Sequence, residues 1–144
     1  MHNLPHHYII KVNGTPSGNL TASADNLPNL DVSPPQQFGG PGDIWSPEDL
    51  LMAAVANCLA LSFRMIASAS KLQWKSIECI SEGELNQVDG RMLFTKIVSN
   101  VKLVILSEDD LELAEKLLHK AEDTCLISNS LSAELALDCE IVID

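Results

Sequence analysis

The stretch Phe38-Gly39-Gly40-Pro41-Gly42-Asp43-Ile44-Trp45-Ser46-Pro47-Glu48-Asp49 runs straight into Leu50-Leu51-Met52-Ala53-Ala54-Val55-Ala56-Asn57-Cys58-Leu59-Ala60-Leu61. Its reading decides the fold. A glycine-rich approach cannot continue as a regular element. Ser46 is a good N-cap, Pro47 suits the first helical position, and Asp49 stands three residues after the cap. Glu48 and Asp49 match the positive end of the helix dipole. A helix therefore starts at Ser46 and is expected to run to about Ser70, with a thiol, Cys58, in its apolar middle. A helix apolar on all sides is the centre of a globular core or of a subunit interface. The span from Leu50 to Ala69 is also roughly as long as a membrane crossing. Asn57, Ser62 and Arg64 interrupt it, and its many alanines are small, so no membrane association is expected.

Outward from this helix, the remaining elements follow from turns and periodicity. On the N-terminal side, Tyr8 to Val12 reads as a strand and Asn13-Gly14 as a hairpin signal. Asn19 to Ala24 and Leu30 to Val32 read as two further short strands. On the C-terminal side, Trp74 to Leu85 and Met92 to Ile105 flank Val88-Asp89-Gly90, a second hairpin signal. Ser107-Glu108-Asp109-Asp110 starts another helix, whose apolar positions Leu111, Ala114, Leu117, Leu118 and Ala121 keep helical spacing. Asn129 or Ser130 is expected to cap a short third helix, and Leu135 to Val142 is expected to form a last strand. The order βββ-α-ββ-α-α-β is an α+β pattern with mostly antiparallel sheets. A chain of 144 residues, 46% hydrophobic, is enough for one packed domain over 1–144.

Charge narrows the function. Nine Lys and Arg face 20 Asp and Glu, a formal net charge of −11. Binding to nucleic acid rests on neutralising phosphates, and binding to anionic bilayers on basic clusters, so neither is expected. Met1-His2-Asn3-Leu4-Pro5-His6-His7 has neither the basic nor the apolar region of a secretion signal, which points to the cytoplasm. There, free thiols are the default, and a disulfide is more often transient and catalytic than structural. The cysteines Cys58, Cys79, Cys125 and Cys139 form no CxxC pair, so neither a metal knuckle nor a thioredoxin-type motif is expected, and no cofactor is implied.

Two thiols remain of interest. Cys79 and Cys139 sit in strand-like segments among apolar neighbours and read as core residues. Taken alone, Cys58 reads the same way. It lies three turns beyond the helix start, too far for the dipole to matter, and Ala54, Val55, Leu61 and Ser62 at one-turn spacings offer no cation. Glu48 is ten residues away on the same helix, roughly 15 Å of rise. The two meet only if two copies of the helix pack antiparallel near Ala53. Any activation of Cys58 must come from elsewhere in the fold or from a second subunit. Cys125, beside Thr124, Ser128 and Asn129 at a helix end, is expected to be reachable.

The Gly39-Gly40-Pro41-Gly42 approach, Ser46-Pro47-Glu48, the apolar helix with Cys58, and Cys125-Leu126-Ile127-Ser128-Asn129 resemble the OsmC/Ohr family of osmotically induced and organic hydroperoxide resistance proteins. The resemblance spans nearly the whole chain. It implies an OsmC-like α+β fold in an intertwined homodimer, and a thiol-dependent peroxidase acting on organic hydroperoxides in oxidative stress defence. Cys58 would be the peroxidatic cysteine and Cys125 the resolving one. Glu48 would be an orienting or charge partner from the other subunit, and a dithiol, often lipoyl-type, the reductant. One departure keeps a second reading open. The family usually places an arginine in the N-terminal hairpin, opposite the residue matching Glu48. Here the hairpin has none, and Lys11 is the only Lys or Arg before Arg64. A lysine is a point charge and not a planar fork. The alternative is an OsmC-like protein of weak or no turnover that binds an apolar small molecule at the dimer interface. The family also often has proline after the second cysteine, where this chain has Leu126.

Overall fold

The computed structural model describes residues 2–144; Met1, the first residue of the stretch read above for a secretion signal, lies outside them. The backbone falls into two compact units, one running to Leu51 and the other from Met52 to Asp144. Among the described residues, six strands form two three-stranded sheets, accompanied by three α-helices.

The first unit holds an antiparallel sheet of β1 (Lys11–Asn13), β2 (Leu20–Ser23) and β3 (Leu30–Val32), in the order β1-β2-β3. β1 is shorter and later than the apolar run predicts, and Tyr8, Ile9 and Ile10 are exposed outside it. Asn13-Gly14 is not the tight turn. Asn13 pairs with Thr21, so the loop is longer, and Gly18 rather than Gly14 takes the left-handed backbone, with φ of 86°. After β3, a single 3-10 turn at Gln36–Phe38 leads into the glycines. A Cβ on Gly40 would overlap the carbonyl of Pro34, and the Gly40 N–H donates to the Pro35 carbonyl at 3.0 Å. Only glycine permits that closeness.

Helix α1 (Pro47–Ala69) starts where the sequence places it. The Asp49 N–H donates to Ser46 Oγ at 3.1 Å, while Asp49 Oδ2 accepts from the Ser46 N–H at 3.0 Å and from its hydroxyl at 2.7 Å. This reciprocal cap satisfies donors that the first turn leaves open. At the other end, Leu72 N–H donates to the Ala67 carbonyl and Lys71 N–H to the Ser68 carbonyl, with Lys71 at φ of 58°. That is a Schellman closure with lysine in the left-handed position glycine usually takes. By length and composition α1 could cross a membrane. Its Val55, Leu59, Phe63, Ile66 and Ala67 are instead buried in the protein.

In the second unit, β4 (Trp74–Val88) and β5 (Arg91–Ile105) form a long antiparallel hairpin. Asp89 and Gly90, at φ of 49° and 78°, make its two-residue turn. Both positive angles suit the twist of the flanking strands. Ile97, Ser99, Val101, Leu103 and Ile105 alternate inward along β5. Ser107 caps a 3-10 turn at Glu108–Asp110, which leads into α2 (Leu111–Asp123). Then come α3 (Leu126–Asn129) and β6 (Glu134–Ile143). Cys125, not Asn129 or Ser130, is the N-cap of α3, so the third helix begins earlier than expected. β6 pairs with β5 in parallel, from Lys96↔Glu134 to Ile105↔Ile143. A parallel neighbour needs a crossover, and α2 with α3 supplies it. The core joins Leu59, Phe63, Ile66 and Ala67 of α1 to Val101, Leu103 and Ile105 of β5 and to Ala114, Leu117, Leu118 and Ala121 of α2. Trp74 meets Phe63 edge-on at a ring separation of 5.5 Å.

Candidate active site

Cys58 lies on α1, one turn before Phe63, and is half-buried. Burial alone would raise the pKa of its thiol, yet hydrogen-bond donors around the sulfur outweigh that and hold it below the ordinary value. They are the Cys125 thiol, the backbone N–H groups of Ile127 and Leu126, and the Ser62 hydroxyl one turn along α1. No cation is among them. Apart from Ser62, the donors come from the turn that opens α3, within the same chain. The first N–H groups of a helix have no partner inside it, so a sulfur placed there is a natural acceptor.

Cys125 contrasts with its partner. It is fully buried, at 0% exposure, where a reachable thiol was expected. Of the polar neighbours that suggested access, Ser128 is itself buried and bonds the sulfur, while Thr124 and Asn129 bond backbone carbonyls. As the cap of α3, Cys125 turns its side chain inward while Leu126 stands out at 66% exposure. Burial pushes the Cys125 thiol up, and its role as donor to Cys58 adds to this. The Ser128 hydroxyl, donating to Cys125 Sγ at 3.2 Å, and the Ser128 N–H act in the other direction. Ser128 thus donates to Cys125, and the Cys125 thiol in turn favours the charged form of Cys58. Such an arrangement stabilises a thiolate on Cys58 and keeps a second thiol against it.

Glu48 stands in the first turn of α1. It is not among the groups that act on Cys58 in this chain. One of its oxygens, Oε2, is buried without a hydrogen-bond partner among the described residues. Glu48 also lines a cavity of about 290 Å³ in the first unit, with Leu20, Val32, Pro34, Pro35 and Phe38. Cys79 and Cys139 face the core from β4 and β6, both opposite Val101 of β5. Burial raises both thiols. Cys139 is pushed up to about 11, with Glu115, Glu122 and Asp138 adding to the effect of burial. His119 is exposed on α2. Among the described residues, no three His, Cys, Asp or Glu side chains gather as they would around a metal ion.

The sequence places Ser62 and Ser128 near the two thiols but does not show that they, or the N–H groups of Leu126 and Ile127, act on the sulfurs. Ser62 stands four residues after Cys58, and Ser128 three after Cys125. These spacings put both hydroxyls on the thiol's side of a helical turn.

The fold and the two facing thiols define an α+β protein with a paired-cysteine site at a helix start. The chain belongs to the OsmC-like protein family, whose family model matches residues 40–140. It is 31% identical to the uncharacterized protein YmaD of Bacillus subtilis over 147 aligned positions, covering 94% of this chain and 93% of that protein. It is 32% identical to organic hydroperoxide resistance protein-like 1 of Staphylococcus epidermidis, covering 82% and 84%. Among solved structures, it resembles an OsmC-like protein of unknown function from Vibrio cholerae. That match has a TM-score of 0.77 and 26% identity, and covers 85% of this chain and 84% of that one. The family is linked to hydroperoxide resistance and redox chemistry, and includes peroxiredoxin-type enzymes.

Proposed function

We propose that the protein is a thiol-dependent peroxidase that reduces organic hydroperoxides through Cys58 and Cys125. The observation that carries this reading is the Cys58 thiol, half-buried yet held below its ordinary pKa by donors from Cys125 and the start of α3. The Cys58 thiolate attacks the outer oxygen of the O–O bond. The alcohol leaves, and the sulfur becomes a sulfenic acid. The Cys125 thiol condenses with it, releasing water and forming a disulfide. A dithiol such as a lipoyl group returns both thiols.

The reading includes a cytoplasmic homodimer. Leu61 and Met65 of α1 are 54% and 67% exposed, and Tyr8 and Ile9 are 88% and 81% exposed. An apolar helix with such an uncovered side gains from a second copy. Glu48 is read as a charge partner supplied across that dimer. Replacing Cys58 with Ser is expected to abolish dithiol-dependent consumption of cumene hydroperoxide. Unchanged turnover in that variant ends the reading.

A second reading, binding of an apolar molecule with little turnover, draws on the Glu48 oxygen that lacks a partner and the apolar cavity beside it. Alkylation of Cys58 across pH separates the two. A midpoint below that of free cysteine favours the enzyme, and one above it favours the binding protein.

A further inference from the structure

Three hydroxyl groups lie close together around α3, and they do different things. Thr124 Oγ1 donates to the Lys120 carbonyl at 2.8 Å, and Ser130 Oγ to the Leu126 carbonyl at 2.8 Å. Both follow the ordinary habit of bonding back to the fourth preceding residue. Ser128 does not. Its hydroxyl donates to a sulfur, Cys125 Sγ, at 3.2 Å. Ser128 is 5% exposed and Cys125 0%, so this hydrogen bond is shut away from water. Cys58 is half-buried and is the more accessible of the two facing sulfurs.

We propose that Ser128 is the hydrogen-bond donor that makes Cys125 the leaving thiolate when a Cys58–Cys125 disulfide is reduced from outside. The inference rests on the disulfide relay described under Proposed function. Once the disulfide has formed, Cys125 carries no proton and its sulfur can no longer donate to Cys58. A dithiol enters through its thiolate, which reaches Cys58 Sγ and not the buried Cys125 Sγ. A bond forms between the reductant sulfur and Cys58, and the Cys58–Cys125 bond breaks. Its electron pair leaves on Cys125, where the Ser128 O–H is already aimed. The second sulfur of the dithiol then displaces Cys58, closing the reductant's own disulfide. The proton of that second thiol ends on Cys125, and Cys58 returns as a thiolate. Two electrons have passed from the dithiol to the protein. The rate of thiol–disulfide exchange rises as the leaving thiol becomes more acidic, so a donor fixed on the leaving sulfur speeds the first step.

The test separates this inference from the peroxidase reading, because the disulfide is made with diamide and not with peroxide. Wild type, Ser128→Ala and Ser128→Thr are oxidised. The Cys58–Cys125 link is verified by peptide mass, and reduction is followed with dithiothreitol and with 2-mercaptoethanol. The Ala variant is expected to be reduced about five- to tenfold more slowly by both thiols. The Thr variant keeps the hydroxyl and is expected to stay near the wild-type rate. Reduction of the Ala variant at the wild-type rate overturns the proposal. Equal slowing in Ala and Thr also overturns it, since the side chain would then act by packing. Failure of diamide to link Cys58 with Cys125 does the same. If diamide forms the disulfide and cumene hydroperoxide does not, the peroxidase reading fails, while the reduction rates still decide the role of Ser128.

Discussion

Cys58 and Cys139 carry the same side chain in the same compact unit, yet their surroundings push the thiol in opposite directions. Cys139 lies on β6 with acidic groups around it. Burial first, and then Glu115, Glu122 and Asp138, hold its proton on up to about 11. Cys58 also loses solvent, but four donors converge on its sulfur and reverse the outcome. Their companions, both raised by burial, differ in what they face. Cys125 faces Cys58, whereas Cys79 faces the core. Burial by itself therefore does not decide the direction in which a thiol is pushed. The fixed hydrogens aimed at the sulfur decide it for Cys58.

That contrast can be broken in graded ways. The largest effect is expected from Cys125→Ser. Without a partner thiol, the Cys58 sulfenic acid has nothing in the chain to condense with. Peroxide treatment should then add two or three oxygens to Cys58, read by intact mass, and turnover should stop within a few cycles. A variant that stays at the thiol or sulfenic level would show that Cys125 does not resolve.

A smaller effect is expected from Ser62→Ala, which removes one of the donors. Loss of a hydrogen bond to a charged group costs about 1–2 kcal/mol, so the Cys58 ionisation midpoint should rise by roughly one unit. Measured by iodoacetamide, wild-type Cys58 should gain its full rate below the pH needed for free cysteine, because a lowered pKa means thiolate at lower pH. Cys139 should gain rate only towards pH 11, because a raised pKa delays the thiolate. If Cys58 and Cys139 titrate together, the contrast drawn here fails. The smallest effect on chemistry is expected from Cys79→Ala with Cys139→Ala. Peroxide turnover should stay within about twofold of wild type, while each change costs about 1 kcal/mol of stability by denaturant titration, as small core truncations do. A tenfold loss of turnover would show that the second pair takes part.

The two pairs also differ in how far the sequence reveals them. The start of α1 is local. Ser46, Pro47 and Asp49 state it within four residues, and Asp49 makes the hydrogen bonds expected of a capping box. Asp89-Gly90 is equally local, and β5 displays its alternation residue by residue. Asn13-Gly14 misleads because Pro16 and Gly18 follow, and the left-handed position falls on Gly18. The rest is long-range. Nothing near Glu134 says that β6 runs parallel to β5, since that pairing is set across the α2–α3 crossover. The same holds for the site. Cys58 and Cys125 stand out as residue types in their local contexts. That Cys125 is buried, and that the N–H groups of Leu126 and Ile127 act on the sulfur of Cys58, far back in the chain, depends on how the crossover is laid down. A resemblance of motifs supplied the pairing; the residue pattern alone left Cys58 as a core thiol.

The parallel pairing of β5 with β6 has a consequence in time. During synthesis, Cys58 is made early, in a helix that contains none of the backbone groups lowering its pKa. Those groups belong to residues 126 and 127, which are held by a crossover that is not secured until residues 134–143 have been added and paired. Long-range parallel contacts form slowly. An emerging chain therefore has at position 58 a cysteine with only the Ser62 hydroxyl of its four donors. The full set of groups that lower the Cys58 thiol is present only once the crossover is in place.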